Sequence, residues 1–100
     1  MALQIRWSLR AAQDLEELLD LVEEDAPEAA VRLADRFRSL ILGMPEHPRL
    51  GRMVSPYSRD DLRERFVHPY RIVYRLHREA IEIVCIMHEA RQLPDDPADL

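Results

Sequence analysis

From Leu62 to Arg91 the chain reads as three short apolar strands whose polar positions are mostly arginine, closing on His88-Glu89-Ala90-Arg91. Such a sheet folds only when something covers its apolar face, and the first half of the chain offers two amphipathic helices for that purpose. In Tyr70-Arg71-Ile72-Val73-Tyr74-Arg75-Leu76, the residues Tyr70, Ile72, Tyr74 and Leu76 share one face, while Arg71, Val73 and Arg75 share the other. The alternation predicts that the first face is core and the second is wet. Ile81 to Met87 is nearly continuous in apolar residues, as in a strand covered on both sides or central in its sheet. His77-Arg78-Glu79-Ala80 has the length of a hairpin turn, and Pro69, which lacks an amide proton, marks the break between the first two of these strands.

The helices follow from spacing. Leu3-Gln4-Ile5-Arg6-Trp7 alternates as a half-buried strand does, and Ser8 can cap the helix that follows. From Leu9 to Glu24, Ala11, Ala12, Leu15, Leu18, Leu19 and Val22 recur at helical intervals, with acids on the remaining surface. Pro27 restarts the pattern, because proline suits the first turn of a helix and Glu28 opposes the positive end of its dipole. Ala30, Leu33, Ala34, Phe37, Leu40, Ile41 and Met44 then form a second stripe. Two helices joined by so short a break pack as an antiparallel hairpin. Gly43, Pro45 and Pro48 end the second helix and open a loop of about fifteen residues, in which Gly51 is expected to permit a backbone turn closed to other residues. The expected architecture is α+β: an N-terminal strand, a helical hairpin, then a three-stranded antiparallel sheet packed on the helices.

At 100 residues the chain supports one domain, taken as residues 1–91 with an acidic tail over 92–100. Residues 1–35 carry three arginines against nine acids, and residues 36–91 carry eleven arginines against seven acids. Every basic residue is arginine, whose planar guanidinium grips carboxylates and phosphates through two bonds at once. An acidic partner is therefore expected, while a net charge of −5 argues against sequence-specific binding of DNA by this chain. No apolar run approaches the ~20 residues of a membrane span and no signal-peptide pattern opens the chain, so a cytoplasmic protein without membrane contact is expected. Cys85 lies within an apolar run and reads as a buried thiol. The spacing of His47, His68 and His77 suggests no metal site, and no cofactor motif is present.

Several segments taken in order carry a family resemblance: Trp7-Ser8 with Ala11, Asp14 and Leu15; Pro27 with Ala29 and Ala30; Pro48-Arg49-Leu50-Gly51-Arg52; Leu62-Arg63; Tyr70-Arg71-Ile72-Val73-Tyr74; and Ile83, Ile86, His88 and Arg91. Together they resemble the RelE/ParE toxin superfamily, most closely its ParE branch. The resemblance implies the toxin of a type II toxin–antitoxin pair that inhibits DNA gyrase and is neutralised by a ParD-like antitoxin in a hetero-oligomer. RelE-like relatives instead cut messenger RNA on the ribosome. A third reading is a harmless interaction module that keeps the fold.

RNA cleavage needs a proton acceptor, a cation on the phosphorane and a proton donor. Arg71, His88 and Arg91 are the candidates, with Glu89 a weaker base. No lysine supports a ribosomal RNA surface, however, and the tail is anionic. The non-catalytic reading is therefore preferred. Arg52, Arg63, Arg65, Arg71, Arg75 and Arg91 are the expected contacts to target or antitoxin. Their bland alternative is cross-strand pairing with acids such as Glu64 or Glu82. His88 reads as a structural histidine whose ring bonds a backbone group ahead of a catalytic one, and Trp7 and Phe37 read as core.

Overall fold

A computed structural model describes residues 3–100. The elements in chain order are β1 (Gln4–Trp7), α1 (Leu9–Asp25), α2 (Pro27–Gly43), a 3-10 turn (Met44–Glu46), β2 (Arg52–Met53), β3 (Leu62–Val67), β4 (Tyr70–Leu76), β5 (Ala80–His88) and a second 3-10 turn (Pro97–Asp99). The α+β class stands as expected, with the helical hairpin intact and three antiparallel strands at its centre. The sheet is wider than the sequence suggested, with order β1-β5-β4-β3-β2. β1 pairs parallel to β5, and the two-residue β2, inside the stretch expected to be loop, pairs antiparallel to β3.

Ser8 begins α1 as its spacing predicted: its hydroxyl oxygen accepts from the Ala11 amide at 2.9 Å. The same hydroxyl donates to the Val84 carbonyl at 2.7 Å, and the Ser8 amide donates to the Ile83 carbonyl at 3.0 Å. One helical turn later the Asp14 carboxylate accepts from the Ile86 amide at 2.9 Å. These bonds are needed because β1 stops opposite Ile83 while β5 runs on to His88. A bulge lies at the same place, since Val73 pairs with Cys85 but Tyr74 pairs with Ile83, leaving Val84 over. Its consequence is a change of phase. Ile81, Ile83 and Ile86 face the helices, whereas Val84, Cys85 and Met87 face away. The continuous apolar run of β5 is thus explained by burial on both faces.

The main core lies between hairpin and sheet, where Phe37, Ile41 and Met44 from the α2 end meet Ile72, Tyr74, Ile81, Ile83 and Ile86. A second core occupies the opposite face, built on Val54, Leu62, Val73, Val84, Cys85 and Met87 and covered by Tyr57, Leu93 and Leu100. This corrects the expectation of a wet face: Val73 is fully buried, and Arg71 and Arg75 are partly buried beside it. The long loop and the 92–100 segment fold across the sheet and bring isolated apolar side chains that no periodic pattern announces. Residues 92–100, read from composition as an acidic tail, therefore lie against the body of the domain. Trp7, expected in the core, is 40% exposed on the edge strand, whereas Phe37 is buried as expected.

Gly51 is required for a reason other than the turn expected of it, since no glycine has positive φ among the described residues. A β-carbon there would lie 2.6 Å from the Glu64 carbonyl oxygen and 2.9 Å from the Tyr74 ring. The Gly51 amide instead donates to the Tyr74 hydroxyl at 3.1 Å, and that hydroxyl donates to the Pro48 carbonyl at 2.8 Å.

Three outcomes follow for stability, each measurable by urea denaturation. Gly51→Ala should destabilise by about 1–3 kcal/mol or more, because backbone and a buried ring must both move. Asp14→Ala leaves the Ile86 amide unpaired and should cost about 1–3 kcal/mol, with Asp14→Asn milder because an acceptor remains. Burial pushes the Cys85 thiol from 9.0 up to about 11. The unfolded chain therefore releases that proton first, and stability should be intact below pH 9 and fall as pH rises from 9 towards 11. Burial raises the Tyr74 hydroxyl as well, so Cys85→Ala should flatten the slope without abolishing it.

Candidate functional site

The strand register distributes the expected arginines over two faces. Arg52 lies opposite Glu64, Phe66 opposite Arg71, and Leu62 opposite Arg75, all on the face away from the helices. Glu64 is the hub of this group and is 3% exposed. Arg52 Nε donates to its Oε2 at 2.8 Å, and Arg71 Nε stands 3.4 Å from its Oε1 in an ion contact without hydrogen-bond geometry. Both guanidinium groups also lie over the Phe66 ring, 5.2 and 5.9 Å from its centroid. One buried carboxylate thus neutralises half the charge of two arginines and leaves a net positive, aromatic-backed patch. Arg52 is its outward member, with 71% of its side chain exposed. Phe66 is stacked in turn on His68, with centroids 5.4 Å apart.

Arg75 sits further along the same face. Its NH1 lies 4.0 Å from Glu82 Oε1, an oxygen that His77 Nε2 meets at 2.7 Å, and its own Nε is buried without a partner. Arg63 belongs to the other face and serves the loop. It donates to the Asp60 carboxylate at 2.7 Å and to the carbonyls of Asp60, Gly51 and Arg49 at 3.0, 2.9 and 3.3 Å. Arg49 and Arg63 both bond the Asp60 carboxylate, which holds its pKa below the usual carboxylate range. Arg65 lines a shallow groove with Asp35, Arg36 and Leu40 of α2.

Arg91 and His88 line a groove on the helical side with Asp14, Glu17, Leu18, Leu21 and Tyr70. β5 ends at His88, so Arg91 falls in the turn beyond the strand rather than at its end. Arg91 makes no ion pair among the described residues and is exposed. The His88 ring meets Tyr70 edge-on at 5.9 Å, and its Nδ1 accepts from the Ala90 amide at 3.1 Å. That bond fixes the ring and assigns its proton to Nε2. Arg71 and His88 therefore emerge on opposite faces of the sheet. The trio Arg71, His88 and Arg91 does not converge on one point, and Arg71 reaches the far end of β5 only by donating to the Glu89 carbonyl at 3.3 Å.

Two features were not legible as site elements. Phe66, which organises Arg52 and Arg71, read as an ordinary strand residue. An apolar groove of about 300 Å³ runs beside β1, lined by Ile5, Trp7, Leu15, Phe37, Ile41 and Leu42. Its signal in the sequence was one surplus: Leu42 falls off the core stripe of α2.

The family model described as the ParE toxin of the type II toxin–antitoxin system parDE matches residues 5–93. Y4kP of Sinorhizobium fredii is 36% identical over 91 residues, covering 91% of this chain and 93% of that protein. Toxin RelE2 of Caulobacter vibrioides is 33% identical over 88 residues, covering 88% and 97%. The fold is shared with the chromosomal ParDE system of P. aeruginosa (TM-score 0.72, 19% identity, 87% of this chain and 96% of that one). It is shared also with YoeB of Staphylococcus aureus (TM-score 0.63, 16% identity, 88% and 98%). With whole-length sequence matches and a common fold, the chain belongs to the ParE toxin family of type II toxin–antitoxin systems.

Proposed function

We propose that this toxin acts in the cytoplasm by binding and inhibiting DNA gyrase, without cutting RNA, and that a ParD-like antitoxin neutralises it in a hetero-oligomer. The observation that carries the non-nucleolytic reading is the separation of Arg71 from His88 by the thickness of the sheet. Cleavage at a 2′-hydroxyl needs a proton carrier and a cation converging on one phosphate. The histidine associated with the Arg71 face is His68, which stacks on Phe66 and is held through Nδ1 by the Glu89 carboxylate at 3.0 Å, an arrangement that suits an anchored ring better than a proton carrier. Glu64 stands there but is ion-paired to Arg52 and Arg71, which suits a structural anchor better than a base.

Ribosome-dependent cleavage of messenger RNA is the second reading, favoured by the likeness to proteins named RelE2 and YoeB. It would require His88 and Arg71 to meet on one substrate, and the fold separates them. For the antitoxin, the support is the apolar groove beside β1. Exposed Trp7 and Leu42 flank it, and β1 is an edge strand whose outer side has no partner among the described residues. An amphipathic segment laid there would bury apolar surface and meet the strand's free backbone groups.

Induction without the antitoxin should arrest growth, and purified protein should inhibit supercoiling by DNA gyrase or accumulate broken DNA. Arg52→Ala, shown to be folded, should weaken that effect. Growth arrest with untouched gyrase and newly cut messenger RNA would replace this reading with the nuclease. Trp7→Ser combined with Leu42→Ser should leave arrest intact but reduce rescue by the co-expressed antitoxin, through a loss of affinity of roughly tenfold or more.

A further inference from the structure

The 92–100 segment is held on the sheet by few groups. Leu93 and Leu100 pack on the second core, the Tyr57 hydroxyl donates to the Pro94 carbonyl, and Arg10 NH1 donates to the Asp99 carbonyl at 3.3 Å. Asp96 caps its own short turn by accepting from the Ala98 amide at 2.9 Å. No strand pairing ties the segment to the sheet, and its only regular structure is that turn. Opening it breaks no ladder.

What the segment covers is the part of the second face that combines leucine-sized hollows with arginines. A cavity of about 670 Å³ remains between segment and sheet, bounded by Arg10, Arg59 and Arg75 on one side and by Asp96 and Leu100 on the other. Each of these arginines also faces a carboxylate of the body, Arg10 at 3.8 Å from Asp14, Arg59 at 2.8 Å from Asp61 and Arg75 at 4.0 Å from Glu82. The three aspartates of the segment act on the same region: with burial as the larger cause, Asp95, Asp96 and Asp99 help push the Tyr57 hydroxyl pKa upward. The resident occupant is acidic, anchored by two leucines and bonded through main-chain carbonyls. Each of those grips is available to any peptide of the same chemistry, and a solvent-open, largely polar cleft lies beside the resident segment.

We propose that residues 92–100 form a releasable strap over a docking groove for an acidic, leucine-anchored peptide segment of a partner protein, with which the strap competes. The groove is separate from the apolar groove beside β1, on the opposite face of the sheet, and its existence does not depend on gyrase being the target. While the strap is closed, Leu62, Val73 and Val84 are dry and Arg75 is partly covered. A partner segment that displaces it would gain the hollows and take the strap's place beside the arginines, and the freed strap would carry its three acids into solvent.

Cys85, the single cysteine, lies in the cluster beneath the strap and reports its opening. In the full chain under native conditions, reaction of Cys85 with a disulfide reagent should proceed at a rate insensitive to low urea, the mark of local opening. Tyr57→Phe should raise that rate roughly three- to tenfold by removing one hydrogen bond. Leu100→Asp should raise it roughly tenfold or more by removing an anchor. A synthetic peptide of residues 92–100 added to the Leu100→Asp chain should restore protection, and the same peptide with both leucines changed to serine should not. Reaction of Cys85 only in step with global unfolding, followed by Trp7 fluorescence in wild type and both variants, would overturn the strap. Rapid labelling of Leu100→Asp that the peptide leaves unchanged would overturn the docking groove.

Discussion

Everything else in this fold depends on how the start of α1 is bonded to the open edge of β5. β1 covers that edge as far as Ile83 and no further, yet β5 must continue to His88 to pair with β4. Backbone groups left bare beside a packed helix would carry a desolvation penalty of about 1–3 kcal/mol each. Ser8 and Asp14 remove that penalty, one by joining the helix cap to the strand, the other by reaching Ile86 from the second helical turn. Ala11 between them is fully buried, so that α1 can approach closely. The helix is therefore fixed in height and angle by these hydrogen bonds together with the packing of Leu15, Leu18, Leu19 and Val22 on the main core.

Fixing α1 fixes the hairpin, and the bulge at Val84 then decides which side chains of β5 face it. With the phase shifted, three isoleucines complete the main core while Val84, Cys85 and Met87 found a second one behind the sheet. That second core changes the meaning of the arginines. Arg71 and Arg75 are not free strand residues in water but cations set into an apolar face, each facing a carboxylate. Glu64 is buried because Arg52 and Arg71 surround it, and breaking such a pair from one side costs more than the pair itself contributes. The positive surface is accordingly small, rigid and directional, with Arg52 over Phe66 as its outward member.

The parts of the fold that were legible in the sequence are those with a local cause. Ser8 as cap, Pro27 as helix start and the hairpin turn at His77–Ala80 each depend on a few neighbouring residues and came out as read. The cross-strand pairing of arginines with Glu64 and Glu82 was also foreseeable, since strand alternation places them on one face. Other features had no local signature. Trp7 lies exposed because β1 is an edge strand, and edge position depends on the order of strands. Gly51 is needed because Tyr74 and Glu64, distant in sequence, close around it. His88 and Arg71 differ by seventeen positions, and whether they share a face depends on a bulge between them in β5.

By itself, the sequence determined the element types, the helical stripe that makes the main core, the arginine-rich character of the sheet and the family to which the chain belongs. These rest on periodicity and on residue chemistry, which act over a few positions. Only the tertiary structure decided that the sheet has a second buried face, that Arg71 lies on the opposite side of it from His88 and Arg91, and that residues 92–100 pack across that second face. Those outcomes depend on bringing together residues tens of positions apart. Single apolar side chains such as Tyr57, Leu93 and Leu100 carry no period, and their burial is settled only when the sheet is there to receive them.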